Sequence, residues 1–207
     1  MSRVAELRRE LSVRNQLATT RTKSLHELTV GEVPSVIFLQ DEGGAHGNFH
    51  PVSYRNICAN PEWARRLKKV HTASRKPSYV TGRRWMELDS CNSSDALLMN
   101  VFCYRGSVRN PRLSAMLGVA LGQKPVFGYK PRVPLRDGNG DRTEIDMKLS
   151  DLLIEAKLTE GNFQTARWRM VERYRDFEDV FDAAELPCSG VFVHGYQLIR
   201  CVLAANA

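Results

Sequence analysis

Apolar and polar residues alternate through Ile145, Met147 and Leu149, with Glu144, Asp146 and Lys148 between them. A period of two marks a strand with one buried face. Leu152 to Leu158 predicts a second strand, with Leu153, Glu155 and Lys157 on one face. Ser150 and Asp151 lie between the two as a tight turn, although they lack the glycine that two-residue hairpins prefer. If Leu149 pairs with Leu152, Asp146 opposes Glu155 and Glu144 opposes Lys157. Opposed Cβ atoms lie about 5 Å apart.

Elsewhere the pattern turns helical. Val4, Leu7, Leu11 and Leu17 line one face of a first helix over residues 3–17. Val33 to Leu39 is a short apolar run, a strand or a buried turn. Asn60-Pro61 supplies an N-cap and a first-turn proline. Trp63, Leu67 and Val70 follow at helical spacing, which leaves Arg65, Arg66, Lys68 and Lys69 on open faces. Residues 73–84 read as a linker rich in Arg, Lys and Ser. Residues 93–104 are apolar almost all round and predict a buried helix. Asn110-Pro111 opens a further helix to Gly122, and residues 125–134 predict the first core strand. Asp137 to Asp141 reads as a hairpin turn, because Arg142 and Lys148 stand where a calcium loop needs Gly and Glu. A helix over 164–182 carries the stripe Met170, Tyr174, Phe177 and Phe181. A short strand follows between Gly190 and Gly195. A last helix, Tyr196 to Ala205, places Gln197 and Arg200 on one polar side. The chain stops while that helix is in progress, which predicts a longer natural protein.

The hairpin's polar face would gather two carboxylates and an ammonium. Hard oxygen ligands at this spacing suit one Mg²⁺, which keeps waters for a substrate phosphate. Such an ion offsets the charge of a phosphodiester, and a lysine beside it can orient or deprotonate the attacking water. The competing reading is a solvated strand face, where Glu–Lys pairs across strands are common.

Asp146, Glu155, Ala156 and Lys157 resemble the PD-(D/E)XK motif of the restriction-endonuclease-like nucleases, with Ile145 where that motif usually has Pro. The stretches Ser93 to Phe102, TEIDMKL, LLIEAKLTEGNF and Tyr196 to Ala205 are similar to a family of small, stand-alone bacterial restriction-endonuclease-like proteins. The similarity is close over the last three-fifths of the chain and looser before. It implies a three-layer α/β/α sandwich around a mixed sheet of about four strands. It also implies Asp146 and Glu155 as metal ligands, the Ala156 carbonyl as a further ligand, and Lys157 as the catalytic amine. Mg²⁺ is the implied cofactor, with Mn²⁺ as a substitute. Glu87 is favoured over Asp95 as a third acid, because Asp95 is placed to cap the helix at 93. Related nucleases place a polar residue near the scissile phosphate, which makes Gln197 and Arg200 candidates for touching substrate.

Length and charge set the remaining bounds. At 207 residues the chain is large enough for a full core. No run of 18 apolar residues exists, so no membrane-spanning helix is expected. The charged start, MSRVAELRREL, predicts no signal peptide. Cys58, Cys91, Cys103, Cys188 and Cys201 form no Cys-x-x-Cys pair and read as buried free thiols of a cytoplasmic protein. His46 and His50 read as loop histidines. The net charge is +7. Residues 1–85 hold 15 Lys and Arg against 7 acids, whereas residues 86–207 hold 15 against 16. The basic excess therefore precedes the candidate site. That suits a clamp on a polyanion, with Arg65, Arg66, Lys68 and Lys69 its best candidates. Solubility alone would ask for the same charge.

Together these features predict a basic, mostly helical extension over 1–84 and a nuclease core over 85–207. The expected activity is Mg²⁺-dependent hydrolysis of phosphodiester bonds in DNA. A homodimer is compatible with it. The alternative is a non-catalytic nucleic-acid-binding module on the same fold, against which the complete acid–acid–lysine set argues.

Overall fold

A computed structural model describes residues 2–71, 82 and 84–207. The expected linker over 73–84 lies almost wholly outside the described residues. The chain forms two compact units. The first comprises the residues up to Lys124 together with Ala156–Thr159, and the second Pro125–Glu155 and Glu160–Ala207. The described strands pair only antiparallel, in sheets of two or three. The fold is thus a mixture of helices with small sheets.

The first unit opens on α1 (Arg3–Thr22), capped by the Ser2 hydroxyl, which accepts from the Ala5 amide. Of the expected face, Val4 and Leu11 are only half-buried. Ser12 and Thr19 are buried, whereas Leu7 and Leu17 are exposed. The polar face is used because Gln16 donates to the Pro34 carbonyl and Thr19 to that of Gln16. The apolar run at 33–39 becomes a strand. β1 (His26–Leu28) pairs with β2 (Val36–Phe38), and Val36 and Phe38 pack with Cys91. α2 (Pro51–Ala59) and α3 (Pro61–Ala64) follow, each with proline in its first turn. The helix expected through Val70 is shorter. It tightens into a 3-10 turn over Arg65–Lys68 and ends at Lys69, whose amide donates to the Arg66 carbonyl.

α4 (Ser94–Phe102) is capped by Ser93, so Asp95 is released from that task. It buries Ala96, Leu98, Met99 and Phe102 but leaves Leu97 and Val101 nearly half exposed, so its burial is one-sided. α5 (Pro111–Leu117) closes at Gly118, φ +66, and ends short of the expected Gly122. Of the thiols expected to be buried, Cys91 and Cys103 are so in this unit, whereas Cys58 is exposed, as is Cys188 in the second unit. Burial pushes the Cys103 thiol up to about 12.

The second unit begins with β3 (Val126–Tyr129). β4 (Val133–Pro134) and β5 (Gly140–Asp141) form the expected hairpin around Asp137–Gly138–Asn139. β6 (Ile145–Leu149) is the central strand of a sheet in which it lies between β3 and β7 (Leu152–Ile154). Its alternation is complete, with Ile145, Met147 and Leu149 buried and Asp146 and Lys148 half-buried. β7 is shorter than expected and ends before Glu155. The chain beyond it joins the first unit, where the carbonyl of buried Thr159 accepts from Arg8.

The helix expected over 164–182 does not form as one piece. β8 (Thr165–Arg167), α6 (Trp168–Val171) and α7 (Phe177–Val180) occupy that stretch. The break lies at Arg173–Arg175, whose backbone bonds outward to the β4–β5 hairpin. Arg136 N donates to Arg173 O, and Arg175 N donates to Pro134 O. Tyr174 and Phe177 still reach the core, with Val133, Val171, Val193, Ile199 and Leu203. β9 (Cys188–Ser189) and β10 (Phe192–His194) complete a sheet with β8, β10 in the middle. α8 (Tyr196–Asn206) starts from Gly195, whose φ of +74 suits the absence of a side chain.

Candidate active site

The site builds from the turn between β6 and β7. Ser150 takes the left-handed conformation, φ +54, that a two-residue hairpin needs at its first turn position. With that turn made, Leu149 pairs with Leu152, Lys148 with Leu153 and Met147 with Ile154. β7 ends at Ile154, and the same register carried one position past that end would set Asp146 opposite Glu155. On the other side of β6, Val126 pairs with Lys148, Phe127 with Met147 and Tyr129 with Ile145, so that Gly128 falls opposite Asp146. Gly128 has φ +64, and β3 departs there from plain extended backbone. Asp146 thus has a glycine on its β3 flank. The Lys148 ammonium lies 4.9 Å from the centre of the Tyr129 ring.

α8 supplies the next layer. Gln197 Nε2 donates to Glu155 Oε1 at 3.0 Å. One turn on, Arg200 is 4% exposed and donates from Nη2 to the carbonyl of Glu144 at 3.1 Å. The helix is held in place by its first residues. The amides of Gly195 and Tyr196 donate to Gln164 O, and that of Gln197 to Phe163 O. The Tyr196 hydroxyl meets that of Tyr174 at 2.9 Å, and Tyr174 donates to Asp141 Oδ2 at 2.6 Å. Thr143 donates to Asp141 from both its amide and its hydroxyl. Burial pushes the Asp141 carboxyl up, but the bonds from Thr143 and Tyr174, with the charge of Arg200, outweigh it and hold it below the ordinary range. Burial, Asp141 and Tyr196 together push the Tyr174 phenol well up. Sequence reading missed this network by treating Tyr174 as stripe alone. The signal was there, since a buried tyrosine hydroxyl seeks a partner.

The donors of the hairpin are hard oxygens, the kind Mg²⁺ takes. Gln197, whose amide N–H holds Glu155, keeps its Oε1 buried without a hydrogen-bond partner, beside that acid rather than among the donors expected for the ion. In donor type alone, the two hairpin acids are what a divalent cation takes. Among the described residues no three His, Cys, Asp or Glu side chains gather as a metal-binding group.

The other candidates lie in the first unit. Ala156 and Lys157 are half-buried there. Glu87 sits in a 3-10 turn over Glu87–Asp89. Its amide donates to Lys69 O, and its Oε2 is buried without a hydrogen-bond partner. Arg65 and Lys68 are exposed, as expected. Arg66 and Lys69 depart from expectation. Arg66 is 8% exposed and ion-paired to Asp95, itself 5% exposed, and Lys69 Nζ lies 3.3 Å from the same carboxylate. A buried carboxylate needs a cation, and these two supply it. His46 is also buried, bonded through Nε2 to Asp89 at 3.2 Å.

In comparison with known families, the model of the one described as Restriction Endonuclease associating with ARP matches residues 14–207. The chain belongs to that family. Neither curated proteins nor solved structures give a match. The match begins inside α1 and runs through both compact units, so the hairpin, α8 and the Asp95 ion pairs all lie within the family's span.

Proposed function

We propose that this chain is a Mg²⁺-dependent nuclease that hydrolyses phosphodiester bonds in DNA. Family membership supports the nuclease reading. The observation that supports these residues is the β6–β7 pairing, whose register carried one position past Ile154 would bring Glu155 across from Asp146, with Gln197 bonding Glu155. Asp146 and Glu155 would hold the ion, with the Ala156 carbonyl as a further oxygen. When bound, the ion supplies positive charge against the phosphodiester. Lys157 orients the attacking water and takes up its proton, or steadies charge as the phosphorus becomes five-coordinate. Glu87 is the candidate third acid. A three-layer sandwich is the finer fold that goes with this reading. Exposed Arg65 and Lys68 suit contact with the DNA backbone. No helix among the described residues is long and apolar enough to cross a membrane.

The test is a plasmid assay. The purified chain should cut supercoiled DNA with Mg²⁺ or Mn²⁺ and leave it intact in EDTA. Asp146→Ala and Glu155→Ala should each abolish cutting while far-UV circular dichroism stays as in the wild type. Nicking by either purified variant at the wild-type rate would overturn the assignment. Lys157→Ala should slow turnover far more than it weakens metal binding. Calorimetry showing lost Mg²⁺ affinity with unchanged turnover would contradict that role.

A further inference from the structure

The two polar residues of α8 read from sequence as groups that touch substrate. Their contacts point elsewhere. Gln197 gives its amide N–H to the Glu155 carboxylate, and Arg200, almost fully buried, gives its guanidinium to the Glu144 carbonyl. Glu155 is the first residue after β7, and Glu144 the last before β6. One helix therefore grips both strands of the hairpin, each at its acid-bearing end. The two gripping residues are three apart, so they share one face of the helix.

From this geometry we infer that Gln197 and Arg200 are positioning residues: α8 braces the hairpin so that Asp146 and Glu155 meet one cation together. This rests on the reading of those two acids as metal ligands. An ion with few protein ligands is sensitive to their exact placement, because Mg²⁺ demands near-ideal octahedral geometry. A partner that fixes a ligating carboxylate typically changes metal affinity by about 10–100-fold. Arg200 acts on Asp146 through two residues of main chain. Gln197 acts on Glu155 directly. Neither needs to touch DNA.

The experiment uses the full chain and Mn²⁺ as the probe, titrated by calorimetry, with DNA binding measured separately in EDTA. Gln197→Met keeps the length and packing of the side chain and removes the donor. It should weaken Mn²⁺ binding about 10–100-fold, leaving DNA affinity in EDTA and the metal-free melting temperature near wild type. Arg200→Lys keeps the charge but shortens the reach, and should weaken Mn²⁺ binding in the same direction. Unchanged Mn²⁺ affinity in both variants would overturn the brace, whether or not they melt earlier. Weaker DNA binding with unchanged Mn²⁺ affinity would do so as well, by making the pair substrate contacts. Asp146→Ala separates the two levels. If it abolishes Mn²⁺ binding while neither Gln197→Met nor Arg200→Lys weakens it, only the brace fails. If it binds Mn²⁺ as the wild type does, the metal site itself is misassigned and both readings fall.

Discussion

Asp95 shows what one side chain decides in this protein. It lies nearly buried against Arg66 and Lys69, so Asp95→Ala would remove the carboxylate to which a buried guanidinium is paired. Breaking a buried pair from one side costs about 3–5 kcal/mol. Denaturant unfolding should show a loss of that size, and an unchanged midpoint would mean that the Arg66–Asp95 pair does not stabilise the first unit. The exposed pair Lys124–Glu62 should give no comparable loss when either member is changed. Asp141 and Tyr174 each contribute to the pH response. The Asp141 carboxyl is held below its ordinary range, so its contribution is complete above the unfolded value of about 3.9 and fades as pH falls through the folded one. The Tyr174 phenol is raised, so its contribution is complete below about 10 and fades at higher pH. Tyr174→Phe removes the phenol that titrates and, with it, a donor to Asp141. It should cost about 1–2 kcal/mol near neutrality and flatten both limbs of a stability–pH curve, and limbs of unchanged steepness would contradict the network. None of these partnerships was legible in sequence. Asp95 and Arg66, or Asp141 and Tyr174, meet only through tertiary structure, and local pattern says nothing of partners that far apart.

At the level of elements, the hairpin was legible and the long helix was not, for one physical reason. In β6 the alternation, the two leucines and the turn all favour the same register, and a slip by one residue would bury Asp146 and Lys148. Over 164–182 the apolar stripe is satisfied by short pieces as well as by one helix. The backbone bonds of Arg173 and Arg175 to the β4–β5 hairpin then decide between them. The end of β7 was likewise invisible, because the bond between Arg8 and Thr159 joins distant parts of the chain. The Ser150 turn can be tested alone. A non-glycine residue at φ +54 carries strain of about 1 kcal/mol or more. Ser150→Gly should therefore raise the unfolding midpoint slightly, and Ser150→Val should lower it by at least about 1 kcal/mol. If both variants melt alike, the turn does not govern the hairpin's stability.

For the whole molecule, charge and compactness divide differently along the chain. The basic excess ends near residue 85, whereas the first compact unit runs on to Lys124 and takes in α4 and α5. Neutralising exposed Arg65 and Lys68 to Gln should weaken binding to all DNA sequences alike. It should also flatten the dependence of log K on log salt by about 0.9 for each phosphate that the chain no longer neutralises. An unchanged slope would leave the two as solubilising charge. Arg66 and Lys69 do not belong in that test, since their change would unsettle Asp95. The burial of Cys91 and Cys103 has a practical consequence of its own. A thiol reagent attacks the thiolate, and both groups are shielded and held protonated by burial, whereas Cys58 and Cys188 stand exposed. Mass spectrometry of a timed alkylation would thus find Cys58 and Cys188 tagged at once. Cys91 and Cys103 would be tagged only as often as the first unit breathes open, and the protein carries its own clock for that event.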